Sequence, residues 1–170
     1  MLGQAVFEGM LMILKTAWFV SLLLTALATG VAFCHLLELP NKMALPASTW
    51  LEVQKVLYNG FGRIVSPAEY VALIATVVVL LLVRKRRTVF VLTLTAGLCI
   101  AVALIVWIRF VGPANLRVDT ATSVLIDWMQ VRDQWEYGHA ARAVLFIVGL
   151  VALLLSMLAD TPTNNTRSVR

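Results

Sequence analysis

Four stretches of mainly apolar residues alternate with polar connections along this chain, and their lengths decide the fold class. They run from about 15 to 37, 66 to 83, 88 to 110 and 140 to 159. Each approaches the roughly 20 apolar residues that an α-helix needs to cross the hydrocarbon core of a bilayer. The pattern predicts an all-α protein in which residues 1–159 form a four-helix transmembrane bundle and residues 160–170 form a polar tail.

Positive charge predicts how the bundle is oriented. The densest basic run, Arg84 to Arg87, connects the second and third apolar stretches. Short loops rich in Lys and Arg stay on the cytoplasmic side of a membrane. Both termini are therefore expected in the cytoplasm, in agreement with Lys15, Arg167 and Arg170. The two longer connections are expected on the outer side, periplasmic or extracellular.

Both outward connections carry helical patterns, so two additional interfacial helices are expected at the outer surface. Residues 49–59 place apolar side chains at helical spacing. Gly112 and Pro113 are expected to end the third span. The second outer helix is expected from about 119 to 135, and it can continue into the fourth span across Gly138.

Two Ser/Thr-x-x-Glu patterns in the outer regions predict helix starts. Thr49 precedes Glu52 by three residues, and Ser66 precedes Glu69 by the same spacing. A hydroxyl and a carboxylate at this spacing satisfy the free amides of a first helical turn. Both carboxylates thereby receive a structural explanation. On this interpretation the second and third spans bring no carboxylate or histidine to the outer surface.

The composition agrees with a membrane protein. Hydrophobic residues make up 61% of the chain and charged residues 14%, against roughly a quarter charged in an ordinary soluble domain. The net charge of +5 lies beside the apolar stretches without interleaved aromatics, so no nucleic-acid partner is expected. Cys34 and Cys99 form no CxxC pattern and are expected as buried free thiols.

Polar residues at membrane depth are costly and mark functional sites, and five of them are predicted to meet at the outer ends of two spans. His35 and Glu38 share one face of the first helix, since three residues nearly complete a turn. Glu136 and His139 repeat the spacing in reverse order at the start of the fourth span. Arg142 follows one turn deeper on the stripe that includes His139.

Three interpretations of this cluster are open. His35, Glu38, Glu136 and His139 resemble the ligand sets that helix bundles use for transition metals, namely iron, copper, manganese or zinc. Alternatively, His35, His139 and Arg142 form a metal-free catalytic site in which a histidine is the general base. In the third interpretation Glu38 or Glu136 only compensates the charge of Arg142 at membrane depth.

The layout also resembles a family of small four-helix membrane proteins that includes anthrone-oxygenase-like proteins. The resemblance rests on the small residues from Ala26 to Ala32, the long connection to the second span, and Trp135 followed by His139 and Arg142. It implies an oxygenase with little cofactor requirement, or a related activity, on a hydrophobic substrate, with aromatic molecules among the candidates.

Two classes of function follow, and whether the chain is an enzyme stays open between them. The first is an integral membrane protein with an oxygenase-like or metal-binding site for a hydrophobic small molecule. The second is a non-catalytic accessory subunit, packed with other membrane subunits or in a homo-oligomer, whose polar cluster holds helices together. The lipid bilayer is a partner in both.

Overall fold

The structure is a computed structural model that describes residues 2–161, and these are helical apart from short connections. The helices are α1 (Leu2–Met43), α2 (Ala47–Leu57), α3 (Phe61–Leu82), α4 (Arg87–Val106), α5 (Gly112–Thr120) and α6 (Trp128–Asp160). A π-helical turn, Trp107–Val111, joins α4 to α5. Residues 2–161 contain no β-strand, and the all-α prediction is confirmed.

Four helices are long and apolar enough to cross a membrane, and the chain is an integral, multi-pass membrane protein. They are α1, α3, the continuous helix from α4 to α5, and α6. With 42 and 33 residues, α1 and α6 are about 60 and 50 Å long at 1.5 Å per residue. Both are longer than a hydrocarbon core of about 30 Å, so they extend beyond it.

The four spans form a closed bundle in which α1 and α4 each contact α3 and α6. Small side chains line the bundle axis: Ala28, Ala32, Ala72, Ala96, Ala103 and Ala143. Two buried hydroxyl pairs link helices, Ser21 with Thr76 at 2.7 Å and Thr93 with Ser156 at 2.8 Å. Small residues and hydroxyls allow the close helix approach that is typical of packing in membranes.

The two ends of the bundle differ. At one end the short α3–α4 connection lies beside the end of α6, where Arg86 pairs with Asp160. At the other end α2, α5 and the first turns of α6 form a helical cap. The cap has its own apolar core of Trp50, Val111, Ala114, Val118, Val131 and Trp135.

The helix starts predicted from the two Ser/Thr-x-x-Glu patterns are wrong. The helix α2 begins at Ala47 after Pro46, and α3 begins at Phe61. Gly60 takes a φ of +87°, a left-handed conformation that only glycine adopts without cost. The chain therefore turns at Gly60, and Ser66 and Glu69 lie inside α3, where no free amides remain for them to cap.

The third span does not end at Gly112 and Pro113. In the π-helical turn the amide of Gly112 donates to the carbonyl of Trp107, five residues back. This shift lets Pro113, which has no N–H, fall in the first turn of α5, where proline is tolerated. The second outer helix is therefore α5, and Asp119 and Thr120 end it rather than beginning a new one.

The fourth span does continue outward, as its pattern predicted. Helix α6 begins at Trp128 and passes through Gly138 without a break. All four predicted spans overlap the long helices. Of the predicted polar tail, residues 162–170 lie outside the described part of the chain.

Replacing Gly138 by alanine tests the contact between α6 and the π-helical turn. A Cβ at Gly138 would lie 2.8 Å from Cγ2 of Val111, a fully buried and β-branched side chain. Gly138→Ala should lower the free energy of unfolding by about 1–3 kcal/mol, measured as a lower midpoint of thermal unfolding in detergent.

Gly30→Ala is the matched control, because nothing lies within 4 Å of a Cβ at that position of α1. Its midpoint should stay unchanged or rise, since alanine favours helix more than glycine does. Equal midpoints for the two variants would contradict the close approach at Gly138.

Candidate polar site beneath the helical cap

The five residues predicted to meet at the outer ends of two spans do come together, at the cap end of the bundle. The imidazole rings of His35 on α1 and His139 on α6 lie 4.2 Å apart between centroids. His35 Nδ1 is 3.6 Å from a carboxylate oxygen of Glu38, and His139 Nδ1 is 3.5 Å from a guanidinium nitrogen of Arg142. Glu136 lies on the same side of α6, buried under α2.

A lysine that the sequence analysis did not single out occupies the middle of this cluster. Lys42 is 4% exposed. Its Nζ lies 2.8 Å from a carboxylate oxygen of Glu38, 3.9 Å from one of Glu136 and 3.3 Å from His35 Nδ1. The ammonium is therefore close to three of the four residues predicted as metal ligands. It places a positive charge beside the carboxylates of Glu38 and Glu136.

Two aromatic rings enclose the Lys42 ammonium. Its Nζ lies 4.1 Å from the ring centroid of Tyr58 and 4.5 Å from that of Trp135, within the range of cation–π attraction. The hydroxyl of Tyr58 donates to Glu38. Burial and this carboxylate acceptor raise the pKa of Tyr58, so the phenol remains a donor.

Helix α2 of the cap holds the side chain of Glu136 in place through hydrogen bonds. One of its oxygens accepts hydrogen bonds from Trp50 Nε1 at 2.9 Å and from Gln54 at 3.5 Å, both on α2. Trp50 is itself 1% exposed. Helix α2 is thereby fastened over the bundle through a buried carboxylate, in addition to its apolar contacts.

Arg142 pairs with Glu69, and not with Glu38 or Glu136 as in the third interpretation of the cluster. The guanidinium is 2.5 Å from Glu69 Oε1, and both side chains are buried. Arg142 Nε also donates to the carbonyl of Ala103 at 3.2 Å. Because Glu69 lies inside α3, the second span does bring a carboxylate to the site.

The other oxygen of Glu69, Oε2, is buried and has no hydrogen-bond partner among the described residues. A buried carboxylate oxygen without a partner is costly and needs an explanation. It is the oxygen of the Glu69–Arg142 pair that keeps its capacity to accept a hydrogen bond.

The cations beside the two histidines favour one placement of the ring protons. Lysine ammonium and arginine guanidinium only donate. Nδ1 of His35 faces Lys42, and Nδ1 of His139 faces Arg142. With Nδ1 as the acceptor, each neutral ring carries its proton on Nε2. For His35, a carboxylate oxygen of Glu38 that lies 3.6 Å from the same Nδ1 favours the opposite placement.

A small cavity of about 50 Å³ connects these groups, with His35, His139, Glu69 and Arg142 in its walls. It has room for water-sized groups. A groove of about 650 Å³ lies next to it between α3 and α5. Five residues belong to the walls of both spaces: Tyr58, Gly62, Ser66, Trp107 and Asn115.

The arrangement is not that of a preformed metal centre. Among residues 2–161, no three His, Cys, Asp or Glu side chains converge closely enough to hold a metal ion. A metal bound by His35, Glu38, Glu136 and His139 would have to displace the Lys42 ammonium from between them. The metal site remains a prediction that needs elemental analysis.

Sequence reasoning missed three residues of the site, and two of them left a signal. Lys42 follows Glu38 by four residues and His35 by seven, a spacing that places all three on one face of a helix. Glu69 is a carboxylate near the start of an apolar stretch, which is itself a functional signal. Tyr58 comes from a connection, and no periodicity places it.

Protein-family models, curated proteins and solved structures were each compared with this chain, and none matches. The resemblance to anthrone-oxygenase-like membrane proteins therefore stays a prediction. The chemistry of the site must be argued from its own side chains.

Replacing Glu69 by glutamine tests the buried ion pair. The change leaves the Arg142 guanidinium buried without a counter-charge, which costs about 3–5 kcal/mol in proteins. Glu69→Gln should therefore unfold at a clearly lower temperature than the parent protein in the same detergent. Adding Arg142→Met should recover part of the loss, because the uncompensated charge is removed.

Asp127→Asn is the matched control, since it removes one partner of an exposed pair. Arg117 lies 2.6 Å from Asp127, and this hydrogen bond lowers the pKa of Asp127. Exposed pairs add little to stability, so the unfolding midpoint should hardly move. A Glu69→Gln protein as stable as Asp127→Asn would contradict a charged, buried pair.

Proposed function

We propose that this membrane protein is an oxygenase-like enzyme that uses a metal-free acid–base site on a small apolar substrate. The observation that carries the proposal is the buried, unpartnered oxygen of Glu69 in the wall of a cavity that also contains two histidines. Such a site places one free hydrogen-bond acceptor near several hydrogen-bond donors.

Glu69 is the general base in this proposal. Arg142 fixes one of its oxygens, so the other is held in position to accept a proton. A carboxylate that is oriented in this way meets the first requirement for a general base, which is geometry. The histidines are poorer bases, because Lys42 and Arg142 already occupy their accepting nitrogens.

The histidines and Arg142 stabilise the anion that forms when the proton leaves. With Nδ1 of each ring facing a cation, His35 and His139 offer Nε2–H as a donor, and both side chains are buried. Donors that are oriented before the reaction stabilise developing negative charge, and each is worth about 100-fold or more in rate.

The reaction balances with molecular oxygen as the oxidant. An activated CH2 group of the substrate loses a proton to Glu69, and the resulting carbanion, written equally as an enolate, reacts with O2. The peroxide anion takes the proton back from Glu69 to form a hydroperoxide. Loss of water from the hydroperoxide gives a ketone, so CH2 and O2 become C=O and H2O.

The two adjoining spaces fit a substrate with a large apolar part and one reactive group. The groove of about 650 Å³ accommodates the body of a polycyclic molecule, and the cavity of about 50 Å³ receives the reacting atoms. Both spaces lie at the cap end, opposite the basic connection Arg84 to Arg87. By the positive-inside rule the cap faces the outer side and both termini face the cytoplasm.

Anthrone is a suitable probe, because it carries an activated CH2 group between aromatic rings. The purified chain in mild detergent should convert it to the ketone with uptake of O2, and a chelator should leave the rate unchanged. Glu69→Asp keeps the charge opposite Arg142 but withdraws the carboxylate by one methylene, so turnover should fall about 100-fold.

Glu52→Asp is the matched control, because it makes the same change at an exposed position of α2 and should leave turnover unchanged. His139→Gln should also reduce turnover about 100-fold. Elemental analysis of the same sample separates the metal interpretation. One metal per chain, with turnover lost on chelation, would contradict the metal-free proposal and favour His35, Glu38, Glu136 and His139 as ligands.

One observation favours a second candidate, the accessory subunit. The ammonium of Lys42 lies between Glu38 on α1 and Glu136 on α6, so side-chain charges alone tie the two helices together. On this alternative the chain elutes with larger partners in mild detergent, anthrone is not converted, and Glu136→Gln loosens the assembly. A chain that elutes alone and turns over anthrone contradicts it.

A further inference from the structure

We propose that the groove between α1 and α6, at the end of the bundle away from the polar site, binds one anionic phospholipid. One acyl chain occupies the groove, and the phosphate lies at Lys15 and Arg86. This site is independent of the proposed reaction and uses other residues.

The groove has the dimensions of a lipid-chain site. It measures about 920 Å³ and lies between residues 11–26 of α1 and the last turns of α6. Its walls are formed mainly by leucines, with Trp18 and Phe19. From Leu150 to Asp160 it follows α6 for about 15 Å at 1.5 Å per residue, which is about half of a 30 Å hydrocarbon core and therefore one leaflet.

Charge is confined to one end of the groove. Lys15 and Arg86 line that end together with Asp160. Asp160 compensates Arg86 through one guanidinium nitrogen, so one positive charge remains in excess. Arg84, Lys85 and Arg87 on the same connection add to the positive potential. The end that would lie at headgroup level therefore attracts an anion.

A buried donor in the groove wall supports a lipid as the occupant. The indole N–H of Trp18 has no hydrogen-bond partner among the described residues, although the side chain is 6% exposed. Buried tryptophan N–H groups usually have an acceptor. A phospholipid carries ester carbonyls between its phosphate and its chains, and these acceptors lie at the depth of Trp18, three positions from Lys15. Because the nitrogen is enclosed by the protein, the indole must turn toward the groove to donate to them.

Charge and position favour a lipid as the occupant over a partner helix, because the excess positive charge lies at one end of an otherwise apolar groove, as a phospholipid requires. The groove also opens toward the bilayer. If the basic connection is cytoplasmic, the groove faces the leaflet that contains the anionic lipids, where each nearby Lys or Arg adds to the attraction.

The test is native mass spectrometry of the full chain in mild detergent with added lipid. Phosphatidylglycerol and phosphatidylcholine with identical acyl chains are compared at equal concentration. The parent protein should retain one phosphatidylglycerol about tenfold better than phosphatidylcholine, because the excess positive charge of the groove favours a net anion, whereas choline offsets the phosphate charge of phosphatidylcholine. Lys15→Gln with Arg86→Gln should abolish that preference.

Arg84→Gln with Lys85→Gln is the matched control, because it removes two charges from the same end without touching the groove walls. It should keep the preference. Lys15→Gln alone leaves the Arg86–Asp160 pair intact and should lower the preference for phosphatidylglycerol severalfold. This single variant replaces the double variant if the double variant does not fold. Equal retention of both lipids by the parent protein, or equal loss in both double variants, would overturn the proposal.

Discussion

The cap end of the molecule depends on the buried ammonium of Lys42. Glu38 and Glu136 lie beside it on two different helices, and a buried carboxylate without a compensating charge is strongly destabilising. The same ammonium is covered by the rings of Tyr58 and Trp135. One positive charge thus connects α1, α6 and the connection after α2, and the cap closes over it.

Hydropathy and helical periodicity were sufficient to predict the spans and the meeting of His35 with His139. Span length sets the depth of each side chain in the membrane, and a period of 3.6 residues sets its face. These two quantities do not determine which helix packs opposite a given face. Arg142 was therefore assigned a carboxylate at the correct depth but on the wrong helix. Glu69 was misassigned because the local capping pattern at Ser66 predicted a helix start, whereas α3 begins five residues earlier, at Phe61.

The wall of the cavity depends on a π-helical turn, and no hydropathy pattern reveals such a turn. The π-helical turn at Trp107–Val111 lets one helix continue from the membrane into the cap despite Pro113. It places Trp107 between the cavity and the groove, and it presses Val111 against Gly138. π-Helical turns inside α-helices are frequently found at functional sites, and here the turn adjoins the residues proposed for catalysis.

Two buried ion systems lie on either side of the histidine pair, and their spacing limits what the histidines can do. Lys42 is next to His35 and Arg142 is next to His139. A proton added to either imidazole would place a second positive charge within about 3.5 Å of the first in a poorly solvated site. The rings are therefore best suited to donate hydrogen bonds as neutral groups. In such an arrangement the negative charge of Glu69 is the one available to take a proton from a substrate, which is why the carboxylate and not a histidine is the base in the proposed reaction.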